Sequence, residues 1–321
     1  MYSLIKYFTK KNKTLNTEHD SKSNIKNTLT SNVKIDNNKN QNVKIEQKQI
    51  IDEKKYMITD DIFVLDTLNE GGRSKVYLVE DNSKNKFVCK KMDMRYYKNA
   101  LREICILNKL KNNKYFPNYN FFIEKPRFIA ILSDYHDAMD LFDYTNKLIY
   151  KNILTNDTAK EIFIKMLMPV IELHKLGFNH LDIKMENYII LNNKNLDVKL
   201  IDFEMSYEYT VKLKNSSKQI GTSGYSPIES YNYLYNYKTD IWSLGVCLWI
   251  LLSYEMPFNH KNINTKNFKK EYVSRFVLEP TEDDYEYIHK DALDLVQKML
   301  TINLKDRIEL EDILKHKWIN S

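Results

Sequence analysis

Cysteine is scarce, with three residues in a chain of 321. Cys89, Cys105 and Cys247 are odd in number and widely spaced, which argues against a disulfide framework or a zinc site. They read as free, buried thiols in a reducing compartment. The seven His form no metal-ligand spacing either. Long apolar runs are also missing. The longest, "IWSLGVCLWILL" (241–252), falls short of the roughly 20 residues that span a bilayer and reads as a buried helix. The start, "MYSLIKYFTKK", lacks the continuous apolar stretch of a secretory signal, and Tyr2 excludes N-myristoylation. An intracellular, cytoplasmic location is therefore expected. An excess of one charge is missing from most of the chain. Of 49 Lys and Arg, 12 fall in residues 1–55, against 6 of the 43 Asp and Glu. The remaining 37 of each sign cancel, so composition demands no nucleic-acid partner.

The charged segment is also poor in structure-forming residues. From residue 9 to about 55 it is rich in Asn, Lys, Ser and Thr, has few aromatics, and contains neither Gly nor Pro. Such a stretch buries too little apolar surface to offset its ordering entropy, so residues 1–56 are expected to form a disordered tail. Met1, Leu4, Ile5 and Phe8 do follow helical spacing beside several lysines, the pattern of a short helix on a membrane surface. An unstructured start outweighs it.

From about residue 57 the texture changes. "FVLDTLNEGGRSKVYLVED" alternates apolar residues around a Gly pair, and "KFVCKKMD" and "RFIAILSDYH" are strand-like. "YYKNALREICILNKLKN" places Leu101, Ile104, Cys105 and Leu107 at helical spacing. Helices are expected later, over 157–176, 239–253, 291–300 and 309–316. Strands first and helices afterwards predict an α+β fold of two lobes joined near 134–139. The smaller, β-rich lobe would cover about 57–133 and the larger, helical one about 138–321.

Five segments carry phosphate chemistry in a fixed order. A Gly turn in "LNEGGRSKVY" lets backbone N–H groups approach phosphates. Lys90 on an apolar strand points its ammonium into a pocket, while Lys91 faces the other way. Glu103 on the following helix could pair with Lys90. In "FNHLDIKMENYIILN" (178–192), Asp182 could accept a hydroxyl proton, Lys184 could steady a phosphoryl group and Asn187 could ligate Mg²⁺. Asp202, after a Val/Leu/Ile strand, offers a hard oxygen to the same ion. Each residue alone reads equally well as a turn, a cap or a surface charge.

Taken together, these segments resemble a eukaryotic protein kinase domain of the serine/threonine type from about residue 60 onward. "GTSGYSPIE" (221–229) resembles the segment that receives the substrate, and "TDIWSLGVCLWILL" the helix whose Asp, here Asp240, ties down the catalytic loop. Arg307 matches the Arg that pairs with Glu229. The resemblance implies catalytic roles for Asp182, Lys184, Lys90 and Glu103, and magnesium ligation by Asn187 and Asp202. It implies an ATP site at Leu68, Asn69, Glu70, Gly71, Gly72, Ser74, Val76, Val88, Lys90, Asp134, His136 and Ile189. Lys184 and Thr222 match the branch that phosphorylates protein Ser/Thr. Asp134-Tyr135-His136 would be the hinge, with the small Ser133 before it leaving the back of the adenine site open. Asp140 and Glu186 match positions that hold basic residues of substrates.

Departures from the pattern are equally legible. One of three loop glycines is in register, with Asn69 and Ser74 in the other places. Leu181 replaces an Arg that normally receives an activation-segment phosphate, which implies activity without that phosphorylation. Glu204 replaces a Gly after Asp202-Phe203, and could either repel phosphates or turn out to solvent. The alternative is a pseudokinase, a nucleotide-binding scaffold that signals by shape.

Overall fold

The computed structural model describes residues 57–192, 195–209, 220–232, 234–258 and 288–321. The expected disordered tail and the amphipathic start lie outside these residues.

The first lobe is a six-stranded antiparallel sheet with one helix. Its strands are β1 (Met57–Thr59), β2 (Ile62–Glu70), β3 (Ser74–Asp81), β4 (Lys86–Asp93), β5 (Tyr119–Lys125) and β6 (Phe128–Asp134), in the order β1-β2-β3-β4-β6-β5. Alternation sorts the side chains of β4. Cys89 joins a small core with Ile58, Tyr77, Val79 and Leu132, whereas Lys90 takes the opposite face. Lys91 lies back over the Phe128 ring, 4.2 Å from its centroid.

Helix α1 (Tyr97–Lys109) packs against that sheet. Its buried face is Ala100, Glu103, Ile104, Ile106 and Leu107. Leu101 is 39% exposed and Cys105 is exposed, which corrects the expected face and the expectation of three buried thiols. The helix is turned so that Glu103 comes inward with Ala100 and Leu107, at spacings of three and four residues. The thiols of Cys89 and Cys247 are buried as expected.

The second lobe is helical, with short strand ribbons that the alternation pattern did not resolve. It contains β7 (Ala138–Asp140), α2 (Leu141–Tyr150), α3 (Asn156–Lys175), β8 (Phe178–Asn179), β9 (Tyr188–Leu191), β10 (Val198–Leu200) and β11 (Tyr207–Glu208). Helices α4 (Tyr237–Ser253), α5 (Lys290–Met299), α6 (Leu310–Leu314) and α7 (Lys317–Asn320) follow. β10, β9 and β7 form one sheet, and β11 pairs with β8. These ribbons are two to four residues long, too short for period-two alternation to register.

Helix α4 is the axis of this lobe. Lys238 through Ser253 are all buried, because apolar side chains surround it on every side. Asn236 and Thr239 close a reciprocal capping box at its start. Gly245 allows close approach of α5: a Cβ there would stand 2.8 Å from the Cβ of Met299. Among the described residues no helix is long and apolar enough to cross a membrane.

Candidate active site

A cleft of about 830 Å³ lies between the lobes, in the size range of small-molecule sites. Leu68, Asn69, Gly71, Gly72, Ser74, Val76 and Val88 line its roof, with Lys90 and Glu103 behind them. Asp134, His136, Asp182, Lys184, Asn187, Ile189 and Asp202 line the rest. Glu70 is not part of this wall. It is exposed on β2, and its carboxylate pairs with Lys75 at 2.5 Å. Asn tolerates left-handed backbone better than most residues, but Asn69 does not use that tolerance. Neither it nor Gly71 nor Gly72 has positive φ, and the turn closes through Gly71 N–H donating to Ser74 O at 2.9 Å.

Lys90 is the centre of charge. Its ammonium donates to both Glu103 oxygens at 3.0 and 2.8 Å and to Asp202 Oδ1 at 2.6 Å. Burial alone would lower its pKa, but Asp202, Glu103 and Glu204 raise it, so it stays charged. Burial lifts the Glu103 carboxyl to about 7, against the pull of Lys90 and with Asp202 adding to the rise. Enclosure in the cleft would lift Asp202 as well, but Lys90 outweighs it and holds that carboxyl at about 2. Phe203, next in sequence, is fully buried against the rings of Phe116 and His180, with centroids 5.7 and 5.3 Å away. That packing fixes the direction in which Asp202 points.

The loop that carries His180, Leu181 and Asp182 is held from beneath. Asp240 on α4 is fully buried and accepts from His180 N at 2.8 Å, Leu181 N at 2.7 Å and His174 Nε2 at 2.8 Å. Leu181 adopts φ 65, a backbone state that is costly for a branched side chain and persists only where the surroundings enforce it. The Asp240 bond to its N–H is one such constraint. His180 is buried, keeps its ring against Phe203 and lies 3.1 Å from Ile201 O through Nε2, so it positions the loop. Burial depresses its pKa.

On this support Asp182, Lys184 and Thr222 form a triangle. The Thr222 hydroxyl donates to Asp182 Oδ1 at 2.6 Å, and Lys184 Nζ reaches Thr222 Oγ1 at 3.0 Å and Asp182 Oδ2 at 3.2 Å. Gly221 makes this approach possible. It has φ 92, and a Cβ there would stand 2.7 Å from both Leu181 O and Ser226 Oγ. Asn187 donates through Nδ2 to Asp182 O at 2.8 Å, which leaves its side-chain oxygen for a cation. Asn187 and Asp202 thus offer hard oxygen donors that fit Mg²⁺, and Lys90 fits the phosphates of a nucleotide.

The pair Glu229–Arg307 is bidentate, at 2.7 and 3.2 Å, with Arg307 stacked 5.0 Å from the Trp242 ring. Asp140 and Glu186 both line the cleft, but Asp140 also caps α2 by accepting from Asp143 N. Glu204 has not turned to solvent: it is 6% exposed, 3.6 Å from Lys90 and 3.0 Å from Arg73. Arg73 and Arg102 are the residues that the sequence did not single out. Arg102 on α1 donates to Glu204 O at 2.6 Å and stacks on Tyr207 at 3.9 Å.

A family model for the protein kinase domain matches residues 63–319, and the chain belongs to that family. It is 31% identical over 264 residues to calcium-dependent protein kinase 4 of Plasmodium berghei, covering 78% of this chain and 48% of the relative. It is 30% identical over 298 residues to calcium-dependent protein kinase 4 of Plasmodium falciparum, covering 89% and 54%. A probable serine/threonine-protein kinase of Dictyostelium discoideum is 33% identical over 243 residues, covering 68% of this chain and 15% of that one. The chain spans about half the length of the Plasmodium relatives it matches.

Proposed function

We propose that this chain is a protein serine/threonine kinase that transfers the γ-phosphoryl group of Mg-ATP to protein hydroxyls. The observation that carries this reading is the triangle of Asp182, Thr222 and Lys184 beside the Lys90–Glu103 pair. Asp182 accepts the proton of the attacking hydroxyl as that oxygen bonds phosphorus and ADP leaves. Lys184 offsets the charge that develops, and Thr222 narrows the site around a small aliphatic hydroxyl. Lys90, aimed by Glu103, orients the phosphates. Asn187 and Asp202 would hold the metal, which neutralises phosphate charge when bound. Glu186 and Asp140 at the cleft support a preference for substrates with basic flanking residues.

Activity without activation-segment phosphorylation has its own support. Leu181 is 3% exposed and can receive no phosphate. The residues after Asp202 are tied to α1 without one: Arg102 holds Glu204 O and Tyr207, and Lys109 pairs with Glu208 at 3.0 Å.

A labelled-ATP transfer assay on a generic basic protein tests the reading. Asp182→Asn should lose about 10²–10⁴-fold in rate, the usual contribution of a positioned base. Lys90→Met should lose a comparable factor. Equal signal from wild type and both variants would overturn the proposal. Glu204, close enough to Lys90 to compete with phosphates, favours the pseudokinase as second reading. Thermal stabilisation by Mg-ATP without any transfer would establish that one instead.

A further inference from the structure

We infer that Arg73 is a positioning residue for the nucleotide: it neutralises Glu204 and so lets a phosphate site with an extra buried carboxylate accept Mg-ATP. The inference deepens the kinase reading and rests on its nucleotide site. Arg73 sits in the turn between β2 and β3, and Glu204 follows Phe203, 131 residues later. The guanidinium reaches across the cleft to donate to Glu204 Oε1 at 3.0 Å and to Met205 Sδ at 3.3 Å.

Charge at the site explains why this contact matters. Lys90 already faces two carboxylates, Glu103 and Asp202, and Glu204 Oε2 at 3.6 Å is a third. One cation among three anions would repel a polyphosphate and leave Lys90 occupied. Arg73 supplies a second cation, bound to the one carboxylate that does not aim Lys90 or offer itself to a metal. It also joins the loop of the first lobe to the segment that bears Asp202, so the two walls of the phosphate site are linked by side chains. Two residues of opposite charge, one on each wall, thus compensate each other. Glu204 is 6% exposed, so its charge is poorly screened by solvent and Arg73 is its nearest counterion.

The test is a double-mutant cycle read as the Kd for Mg-ATP by calorimetry on the full chain. Binding is independent of transfer, so the kinase reading and this one can fail separately. Arg73→Ala should weaken binding by about tenfold or more, because it leaves Glu204 uncompensated. Glu204→Gly on the same background should bring the Kd back to within about threefold of wild type, a coupling that only a direct pair produces. Arg73→Glu should bind more weakly still, and Arg73→Glu with Glu204→Arg should recover part of the loss, which a merely folding-related defect would not do. The inference is overturned if Arg73→Ala costs the same with Glu204 or Gly at position 204. It is equally overturned if Arg73→Ala binds as tightly as wild type or more tightly, or if wild type binds no Mg-ATP.

Discussion

The floor and the roof of the cleft solve the same problem differently. Beneath the loop that carries Asp182, the anchoring residues Asp240, Glu229 and Arg307 are all buried. Asp240 holds two backbone N–H groups and His174, and Glu229 holds Arg307. Above it, the turn between β2 and β3 holds Gly71, Gly72 and Arg73, and the segment opposite bears the buried carboxylate of Glu204. There, order comes from Arg73 and Arg102 pinning Glu204 from two sides. In a buried network drawn from several elements, each removal strands a charge or a donor. A partly exposed loop tolerates change if a new partner lies within reach.

Breaking the floor should therefore cost stability, and breaking the roof should cost ligand affinity. The largest effect is expected at Arg307, whose side chain is fully buried. Arg307→Ala leaves Glu229 unpaired and should lower unfolding free energy by about 3–5 kcal/mol in urea. Next comes Asp240→Ala, which removes the carboxylate that accepts three hydrogen bonds and should cost about 3 kcal/mol by the same measurement. If Arg73→Ala destabilised the nucleotide-free protein as much as either, the contrast would fail.

A smaller effect concerns pH. Burial lifts Glu103 to about 7, well above the unfolded value near 4.3. Between those values the folded chain holds a proton that the unfolded chain has released, so stability falls as pH rises from about 4.5 to 7. Nucleotide-free protein should gain roughly 1–2 kcal/mol between pH 7.5 and 5.5 relative to Glu103→Gln, whose profile lacks this contribution. Meanwhile Mg-ATP should bind more weakly at pH 5.5, as Glu103 takes up a proton and loses its charge pair with Lys90. Equal slopes in wild type and Glu103→Gln would show that Glu103 does not titrate in this range. The smallest effect on folding is expected from Ser133→Met at the back of the cleft. It should leave stability within about 0.5 kcal/mol while abolishing inhibition by adenine analogues with bulky substituents. Unchanged inhibition would mean that Ser133 does not open that space.

Much of this was legible in one chain. Asp182, Lys184, Asn187, Asp202, Lys90 and Glu103, singled out by order and spacing, line one cleft, and Asp240 and Arg307 make the contacts expected of them. The helices α3 and α4 were readable from periodic or continuous apolar residues. The rotation of α1 was not, because Glu103 breaks the apolar stripe that it belongs to. Nor were the ribbons β7 to β11, since two to four residues give alternation nothing to repeat. Glu204 was legible as a departure but not in its direction.

The sequence by itself determined the protein kinase family and the order of its charged and amide residues, because a residue type is a local property of the chain. Only the tertiary structure decided what the departures mean. Arg73 and Glu204 are strangers along the chain, and nothing local to either marks the other as its partner. Their opposite charges meet because the sheet and the helical lobe close on one another, and an ion pair depends on distance in space.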